Sequence, residues 1–412
     1  MQFKHTLYGD GVHDDFPAIQ EMIDSGACEI SLPVPEKHYL VSRTLILPPN
    51  FKLKLPRFAE IRLADNANCM MLQSKTTASS ANSIPEEYSS DFHNLFYYVE
   101  EWSQDPADAC CNIEIEGGIW NFNNMNQLPN PLQTGNWGPE GRWNGHGMLF
   151  YNVHNLRLSN LTLKDPSNFA VTLDCAHYFT VENITFDFNT GNPYSVNMDG
   201  IHLNGNCSHG CIRNLKGACY DDLIALNAHE GSGGDITNIE IDGIFAENCH
   251  SAVRLLTVKH AIKHIRISNV FGSYYQYCIG FSKFYPGETT GYYDGITLDN
   301  ICSSKSTRKP VQEMHMGKDI DFVFPFIWLQ DDTHHRSLTI DGVHRREYEV
   351  PVDTIHIGEA AKVQHLVVRN VTLENFTEKP SLKFANYGEI GELCTDLDDD
   401  EIVNGGTIKK TN

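Results

Sequence analysis

The nine residues NIEIDGIFA, Asn238–Ala246, contain the pattern that decides the fold. Apolar side chains alternate with polar ones on both sides of a central Asp-Gly pair. Such period-two alternation is typical of half-buried β-strands, and an Asn or Gly between two strands can adopt the left-handed backbone that bends one strand into the next. The stretch therefore predicts two short strands joined by a sharp turn.

The same form recurs along the chain of 412 residues. Its other copies are NIEIEGGIW from Asn112, NLRLSNLTL from Asn155, YFTVENITF from Tyr178, HIRISNVFG from His264, GITLDNICS from Gly295, SLTIDGVHR from Ser337 and HLVVRNVTL from His365. The turns at Asn160 and Asn183 are 23 residues apart, and those at Gly243 and Asn269 are 26 apart. Irregular repeats of about 20 to 30 residues with short strands are typical of stacked coils around one continuous core. We therefore predict an all-β parallel β-helix that forms a single domain over residues 1–412.

The regions outside the repeats are predicted to cap the stack or to project from it. Residues 1–30 are predicted to form an N-terminal cap with one helix, whose pattern comprises Asp14, Asp15, Ile19, Met22, Ile23 and Gly26. Such a helix would cover strand edges that lack partners. Wider gaps between turns predict loops that line a cleft at residues 75–145 and 303–335, the first of which contains Trp102, Trp137 and Trp143. Residues 390–412 are predicted to be a C-terminal tail.

Composition and charge argue against several classes of protein. A formal charge of -22 and a pI of about 5.2 disfavour a nucleic-acid partner, which requires a basic surface. No apolar run is long enough to predict a membrane span, and the N-terminal sequence lacks the pattern of an export signal, so we expect a cytoplasmic protein without a membrane partner. The twelve cysteines lack the compact spacing of a disulfide scaffold, which predicts free thiols. No pattern indicates an oligomeric state.

Three aspartates form the candidate catalytic group. The stretch GACYDDLIALNAHE, Gly217–Glu230, places Asp221 and Asp222 directly before an apolar run, and Asp199 in SVNMDGIHLNG lies 22 residues before Asp221. This separation is close to one coil, and neighbouring coils lie about 4.8 Å apart, so the three carboxylates are predicted to share one surface. Like charges at short distance raise at least one pKa, as a general acid near neutral pH requires.

These residues also carry a resemblance to known families. GDGVHDDFPAIQEMID, from Gly9, is similar to the opening of many right-handed parallel β-helix carbohydrate enzymes and phage tailspikes. NMDGI and DDLIALN resemble the Asn-Thr-Asp-Gly and Asp-Asp motifs of glycoside hydrolase family 28, the polygalacturonase-type enzymes. The resemblance covers roughly residues 9–285. It implies a right-handed β-helix and hydrolysis with inversion, in which Asp221 is the general acid while Asp199 and Asp222 activate water.

Two further motifs of that family are altered in this chain. Its Gly-His-Gly has no direct match, and NCHSAVRLL places His250 at the corresponding point. Of the family's Arg-x-Lys motif, this chain retains the lysine as Lys283 but has Phe281 at the arginine position. Arg254, predicted to lie on a neighbouring coil, is a candidate substitute for that arginine. A lost arginine weakens the case for a uronate substrate, because a guanidinium is the usual carboxylate clamp. The predicted substrate-binding residues are His202, His229, His250, Arg254 and Lys283.

The function expected from these features is glycoside hydrolysis of a short oligosaccharide, with or without a uronate, and without an organic cofactor or a metal. One alternative is a lyase or an epimerase on the same fold, which would need a base and a cation beside a uronate. The other is a noncatalytic tailspike-like protein that binds carbohydrate. Hydrolysis releases reducing ends, a lyase also creates a double bond that absorbs in the ultraviolet, and a binding protein does neither.

Overall fold

The computed structural model describes residues 3–75, 104–127, 146–188, 198–283, 290–307 and 324–409. Within this part, the chain forms two compact units, the first within residues 3–202 and the second within residues 203–409. Each unit is described by itself below, and the single domain over residues 1–412 stays a prediction. Trp102, Trp137 and Trp143 lie outside the described residues.

In its described residues, the first unit contains one α-helix, two 3-10 helices (Pro106–Asp108 and Asn124–Asn126) and a series of parallel strands. The α-helix is α1 (Phe16–Ile23). The strands are β1 (Glu29–Ser31), β2 (Tyr39–Val41), β3 (Leu45–Leu47), β4 (Phe51–Lys54), β5 (Glu60–Leu63), β6 (Leu72–Ser74), β7 (Cys110–Glu116), β8 (Ile119–Asn121), β9 (Met148–Ser159), β10 (Thr162–Lys164) and β11 (Val171–Asp187). All their pairings are parallel, for example β4 with β7, β7 with β9 and β9 with β11.

The predicted N-terminal helix is present, but its start differs from the prediction. The side chain of Asp15 makes no capping bond to the helix and instead accepts hydrogen bonds from the main chain of Gly9 and Leu40. Asp14 accepts the bond from the N–H of Phe16 at 3.0 Å. Further along α1, the amide of Gln20 both accepts from and donates to the main chain of Ile46 in β3. The helix therefore satisfies main-chain groups of the strand against which it packs, as a cap must.

The second unit begins within strand β12 (Ile201–Asn204). Its further strands are β13 (Ser208–Ala218), β14 (Asp222–Asn227), β15 (Ile236–Leu256), β16 (Ala261–Ser282), β17 (Tyr292–Lys305), β18 (Ile327–Leu329), β19 (His334–Glu347), β20 (Ile355–Ile357), β21 (Lys362–Asn375), β22 (Phe384–Asn386), β23 (Glu389–Thr395), β24 (Ile402–Asn404) and β25 (Thr407–Ile408). They too pair in parallel, coil upon coil, and the fold is a right-handed parallel β-helix as predicted.

A column of inward side chains shows how the core forms. Ile241 pairs with Ile267, Ile267 with Leu298, Leu298 with Ile340, and Ile340 with Val368. All five side chains are fully buried. Because one strand residue of each coil occupies the same place above the last, the alternating pattern of every repeat contributes to one continuous apolar core.

The turns between strands have the backbone that the sequence predicts. Asn160, Asn183, Asn269 and Asn300 all have positive φ, between 54° and 62°, and Gly243 has a φ of 80°. Asparagine tolerates the left-handed region better than most residues. The side chain of Asn300 also donates to that of Asn269 at 2.6 Å. Stacked asparagines therefore form a hydrogen-bonded ladder at the corner where each coil bends.

Three segments differ from the simple loops and tail expected of them. Strands β7 and β8 lie within residues 75–145, and β18 lies within residues 303–335. In the segment 390–412, β24 and β25 pair with β22 and β23. This segment therefore adds strands to the stack, because its Ile402 and Ile408 repeat the alternating pattern. Among the described residues, no helix combines the length and apolar character that a membrane crossing needs.

Candidate active site

One outward face of the second unit positions the predicted site. Successive side chains of a strand point to opposite sides, so in each of β14, β15, β16, β18 and β20 every second residue points away from the core. In β15, β18 and β20 this outward residue is partly exposed, whereas every residue of β14 and of the end of β16 is buried. Neighbouring outward positions on successive strands are Ala225, Arg254, Gly280, Trp328 and His356. This set, called the site face below, follows directly from the register of the coils.

Asp221 and Asp222 lie at the start of β14, beside His250 of β15. The Nδ1 atom of His250 is 3.5 Å from Oδ1 of Asp221 and 3.9 Å from Oδ1 of Asp222. The side chains of Asp221 and His250 are 15% and 17% exposed, whereas that of Asp222 is 2% exposed. The structure therefore brings the predicted aspartate pair together with the predicted histidine, and Asp221 is the carboxylate that a ligand can reach.

Asp222 is enclosed by donors from two neighbouring coils. The hydroxyl of Ser251 donates to Oδ1 of Asp222 at 2.5 Å, and that of Tyr277 donates to the same oxygen at 3.3 Å. Burial raises the pKa of Asp222, the carboxylate of Asp221 raises it further, and Arg254, His250 and Ser251 oppose the shift. Two carboxylates in one site cannot both lose their protons easily, so this pair retains a proton at higher pH than a free aspartate.

Arg254 supplies the positive charge behind the carboxylates. Its Nη1 atom lies 3.5 Å from Oδ2 of Asp222, and its Nε donates to Ser282 at 3.3 Å. Burial acts against the charge, but the attraction of Tyr277 and Asp222 outweighs burial and raises the pKa of Arg254. The prediction that Arg254 lies at the site is thus consistent with its position, although it is Asp222 that it contacts.

A cation would find three ligands, two carboxylates and one imidazole, in the same place. One ligand atom from each of Asp221, Asp222 and His250 lies within 4.8 Å of the others, so these side chains could hold a metal ion. Carboxylate oxygen and imidazole nitrogen suit several divalent cations. The guanidinium of Arg254, however, already places a positive charge 3.5 Å from Asp222.

Asp199 and His202 form a buried pair in the first unit. Nδ1 of His202 is 2.7 Å from Oδ2 of Asp199, and both side chains are nearly inaccessible. The ring of Phe169 stacks on His202 with 3.7 Å between centroids. The histidine therefore orients the carboxylate, a role that the sequence did not predict. The predicted closeness of Asp199 to Asp221 and Asp222 stays a prediction.

The other two predicted binding residues lie in turns that follow strands of the site face. His229 comes after β14, where burial and the charge of Lys259 lower its pKa. Lys283 follows β16, and its Nζ is 2.5 Å from Oδ2 of Asp332. The lysine that the family motif retains is therefore engaged in an ion pair with a residue of the same unit.

Three residues of the site were missed by the sequence reasoning. Ser251 and Tyr277 bind Asp222, and the ring of Trp328 lies 5.8 Å from that of Tyr277. Ser251 directly follows His250, so it could have been found once one coil was aligned with the next. Tyr277 and Trp328 carry no motif, and only the register of the coils reveals their place.

The sequence matches a family model over its central part. Residues 113–270 match the model described as glycosyl hydrolases family 28. The matched segment contains Asp199, Asp221, Asp222 and His250. The resemblance that the aspartate motifs indicate is therefore confirmed, for a divergent chain. No curated protein sequence gives a significant match.

Several solved structures share the fold at low sequence identity. The family 28 exopolygalacturonase of Yersinia enterocolitica has a TM-score of 0.58 and 14% identity, over 95% of this chain and 77% of that chain. The endo-xylogalacturonan hydrolase of Aspergillus tubingensis has a TM-score of 0.53 and 14% identity, over 98% of each chain. The polygalacturonase of Erwinia carotovora ssp. carotovora has 0.52 and 12%, over 97% of this chain and 94% of that chain. At these identities, the similarity establishes the fold.

Proposed function

We propose that the protein is a glycoside hydrolase that cleaves a short oligosaccharide with inversion at the anomeric carbon. The observation that carries this proposal is the unequal environment of two adjacent carboxylates. Asp221 is partly exposed beside His250, whereas Asp222 is buried and held by Ser251, Tyr277 and Arg254. Pairs of titratable groups in contrasting environments are how hydrolases separate the acid role from the base role.

In the proposed reaction, Asp221 gives its proton to the glycosidic oxygen as the bond from that oxygen to the anomeric carbon breaks. Water attacks the anomeric carbon from the opposite face and loses a proton to a carboxylate, for which the family resemblance suggests Asp199 and Asp222. The products are two shorter sugars, and the water molecule is consumed. Inversion requires the acid and the base to be about 6.5 to 9.5 Å apart, with the water between them.

The Asp221→Asn variant tests the role of the acid. We expect its turnover to fall by about 10² to 10⁴-fold, because general acid catalysis contributes this much, while its fold and its affinity for sugar are retained. The assay is the release of reducing ends from a panel of oligosaccharides by the wild type and the variant. Asp299→Asn is the matched control, since Asp299 forms an exposed ion pair with Arg266 on another face. An Asp221→Asn enzyme with wild-type turnover would contradict the assignment.

The products themselves distinguish the proposed reaction from its alternatives. Fresh product examined by NMR should have the inverted anomer, and no absorbing double bond should form. A retained anomer would exclude direct attack by water, and ultraviolet absorbance would indicate a lyase. Binding of sugars without reducing-end release from any member of the panel would favour a noncatalytic binding protein.

A further inference from the structure

Of the described residues, the two cations predicted to bind substrate, Arg254 and Lys283, are each paired with a carboxylate of the protein. Lys283 is paired with Asp332 at 2.5 Å, and its side chain is 14% exposed. Its main-chain N–H also donates to the side chain of Gln330 at 2.8 Å, which fixes the start of the turn. Arg254 is directed to Asp222. The charge of each cation is therefore already offset by a carboxylate of the protein, and a sugar carboxylate would have to share it with that partner.

Carboxylates outnumber cations around Arg254. The carboxylates of Asp222, Asp221 and Glu230 all interact electrostatically with the guanidinium of Arg254. Three acidic side chains thus surround one basic side chain in this group of four described residues. Lys259 lies in the turn after β15, where its charge acts on His229 and His260. With the proton that the proposed reaction requires on Asp221, the carboxylates of Asp222 and Glu230 still face a single guanidinium. An anionic sugar bound there would meet a net negative charge, at a cost that rises as water is excluded.

Aromatic rings continue the site face in the direction away from Arg254. Gly280 leaves room for the ring of Tyr277, since an added Cβ would lie only 2.7 Å from a ring carbon. Trp328 of the next coil contacts both Tyr277 and Phe324, with centroids 5.8 and 4.9 Å away. These rings offer apolar surface, and Trp328 is partly exposed.

The row of aromatic side chains along the site face extends one coil beyond Trp328. His356 is the strand neighbour of Trp328, and its ring lies 5.2 Å from that of Tyr387, which is 40% exposed. Neighbouring strands are about 4.8 Å apart, so the row advances by about this distance for each coil. Amphipathic rings in a row suit ligands that have apolar faces and hydroxyl edges, which is the surface that a neutral sugar presents.

We propose that the sugar units on either side of the cleaved bond are neutral, and that Trp328 is the platform on which one of them stacks. This inference rests on the proposed function, because it names the substrate class of the same site. A neutral sugar at this position would distinguish the protein from enzymes that bind a uronate at the cleaved bond. Lys283, the cation that this chain retains from the Arg-x-Lys motif, has its charge offset by Asp332 and is less able to bind a uronate there.

Binding to the Asp221→Asn variant tests the inference separately from catalysis. The probes are matched pairs that differ in the carboxylate at C6: trigalactose with trigalacturonate, and cellotriose with the corresponding β-1,4-linked triglucuronate. Calorimetry at low salt should show that a neutral member binds at least about tenfold more tightly than its acidic partner, a difference of about 1.4 kcal/mol. Tighter binding of an acidic member would overturn the inference, as would the absence of binding by both neutral sugars.

Two further substitutions test the parts of the inference. Asp332→Asn should release Lys283 and increase the affinity for trigalacturonate severalfold, without changing the affinity for the neutral sugars. Asparagine suits this position because Asp332 has a φ of 58°. Trp328→Ala should weaken binding of the neutral sugar by about tenfold, whereas Phe376→Ala, an exposed aromatic residue stacked on Tyr348, should leave it unchanged. Unchanged binding of the neutral sugar by Trp328→Ala would contradict the proposed stacking on Trp328.

The two proposals fail in different ways. Binding of a neutral sugar without cleavage by the wild type would overturn hydrolysis and leave the substrate class standing. Cleavage of trigalacturonate in preference to trigalactose would support hydrolysis and overturn the neutral substrate.

Discussion

At the scale of single residues, the site depends on how the charge of Asp222 is controlled. Its Oδ1 accepts hydrogen bonds from Ser251 and Tyr277, and its Oδ2 faces Arg254. All three contacts favour the ionised carboxyl, whereas burial and Asp221 favour the protonated one. Because these opposing influences come from three successive coils, a change in any one of them should move the pH dependence of the proposed hydrolysis.

Tyr277→Phe measures one of these influences. The variant lacks the hydroxyl that donates to Asp222, so the pKa of Asp222 should rise further, because a hydrogen bond that stabilises the charged carboxylate is lost. If Asp222 acts as a base, it must be ionised, and the acidic limb of the pH profile of kcat should move to higher pH. The measurement is kcat between pH 4 and pH 8 on a cleaved oligosaccharide.

Tyr274→Phe is the matched control for this experiment. Tyr274 is equally buried, but its hydroxyl donates to the main-chain oxygen of Phe271 and not to the carboxylates. Its pH profile should follow that of the wild type. A shift of the alkaline limb in Tyr277→Phe would instead identify Asp222 as the acid, and an unchanged profile would exclude it from both roles.

Much of the site could be predicted from sequence because it lies in short motifs. Asp221, Asp222 and His250 were found by order and spacing, and Arg254 by the need for a cation. The engagement of Lys283 with Asp332 could not be predicted, because their separation of 49 residues crosses a coil of irregular length. A lysine retained from a motif thus proved to have a partner within the protein.

At the scale of elements, a β-bulge in β16 shapes the wall of the site. Tyr275 and Gln276 lie opposite the single residue His250, since Cys249 pairs with Tyr274 and Ser251 with Tyr277. The extra residue turns Tyr275 towards His250, with 5.2 Å between ring centroids. Bulges re-aim side chains in this way and are common next to active sites. Alternation alone predicts β16 as a strand but cannot predict where its period is broken.

Lys305 of β17 stabilises the bulge from inside. Its ammonium donates to the main-chain oxygens of Tyr275, Gln276 and Phe324. Burial is the main cause that lowers its pKa to about 7, with a further contribution from Arg345. A lysine in the interior therefore supplies hydrogen-bond donors to main-chain oxygens of the bulge and of Phe324.

Lys305→Met should destabilise the protein. The methionine leaves three buried carbonyl groups without their donor, so the free energy of unfolding should fall by about 3 kcal/mol or more. The pKa of this lysine is lower in the folded protein than in the unfolded chain, where it is near 10.5. The unfolded chain therefore binds more protons between about pH 7 and pH 10, and this residue adds stability as the pH rises.

Urea unfolding at pH 6 and pH 9 measures both effects. The difference between the wild type and Lys305→Met should be larger at pH 9 than at pH 6. The control is Lys263→Met, because Lys263 is partly exposed and paired with Asp235, and its loss should cost no more than about 0.5 kcal/mol. Equal stability of Lys305→Met and the wild type would show that the bulge needs no internal donor.

At the scale of the whole molecule, charge and thiols are the properties that sequence composition determines. The net charge of -22 repels long anionic polymers at low salt, which agrees with a short and neutral substrate. The cysteines are distributed over the coils of both units, and none of the twelve is paired in a disulfide in the structure. Their burial, which the sequence could not predict, follows for those within strands from the side of the strand on which each lies.

This burial predicts how the thiols react. Cys28 and Cys394 are exposed, whereas Cys69, Cys110 and Cys278 are buried, and burial raises the pKa of each of these three to about 12. Because the thiolate is the reactive form, a thiol reagent should modify Cys28 and Cys394 fastest in the native protein and reach the buried thiols only on unfolding. Titration in denaturant without reductant should recover nearly twelve thiols, and Cys28→Ser should remove about half of the fast native phase. Recovery of only a few thiols would mean that disulfides form in the protein, and with them an oxidising compartment in place of the expected cytoplasm.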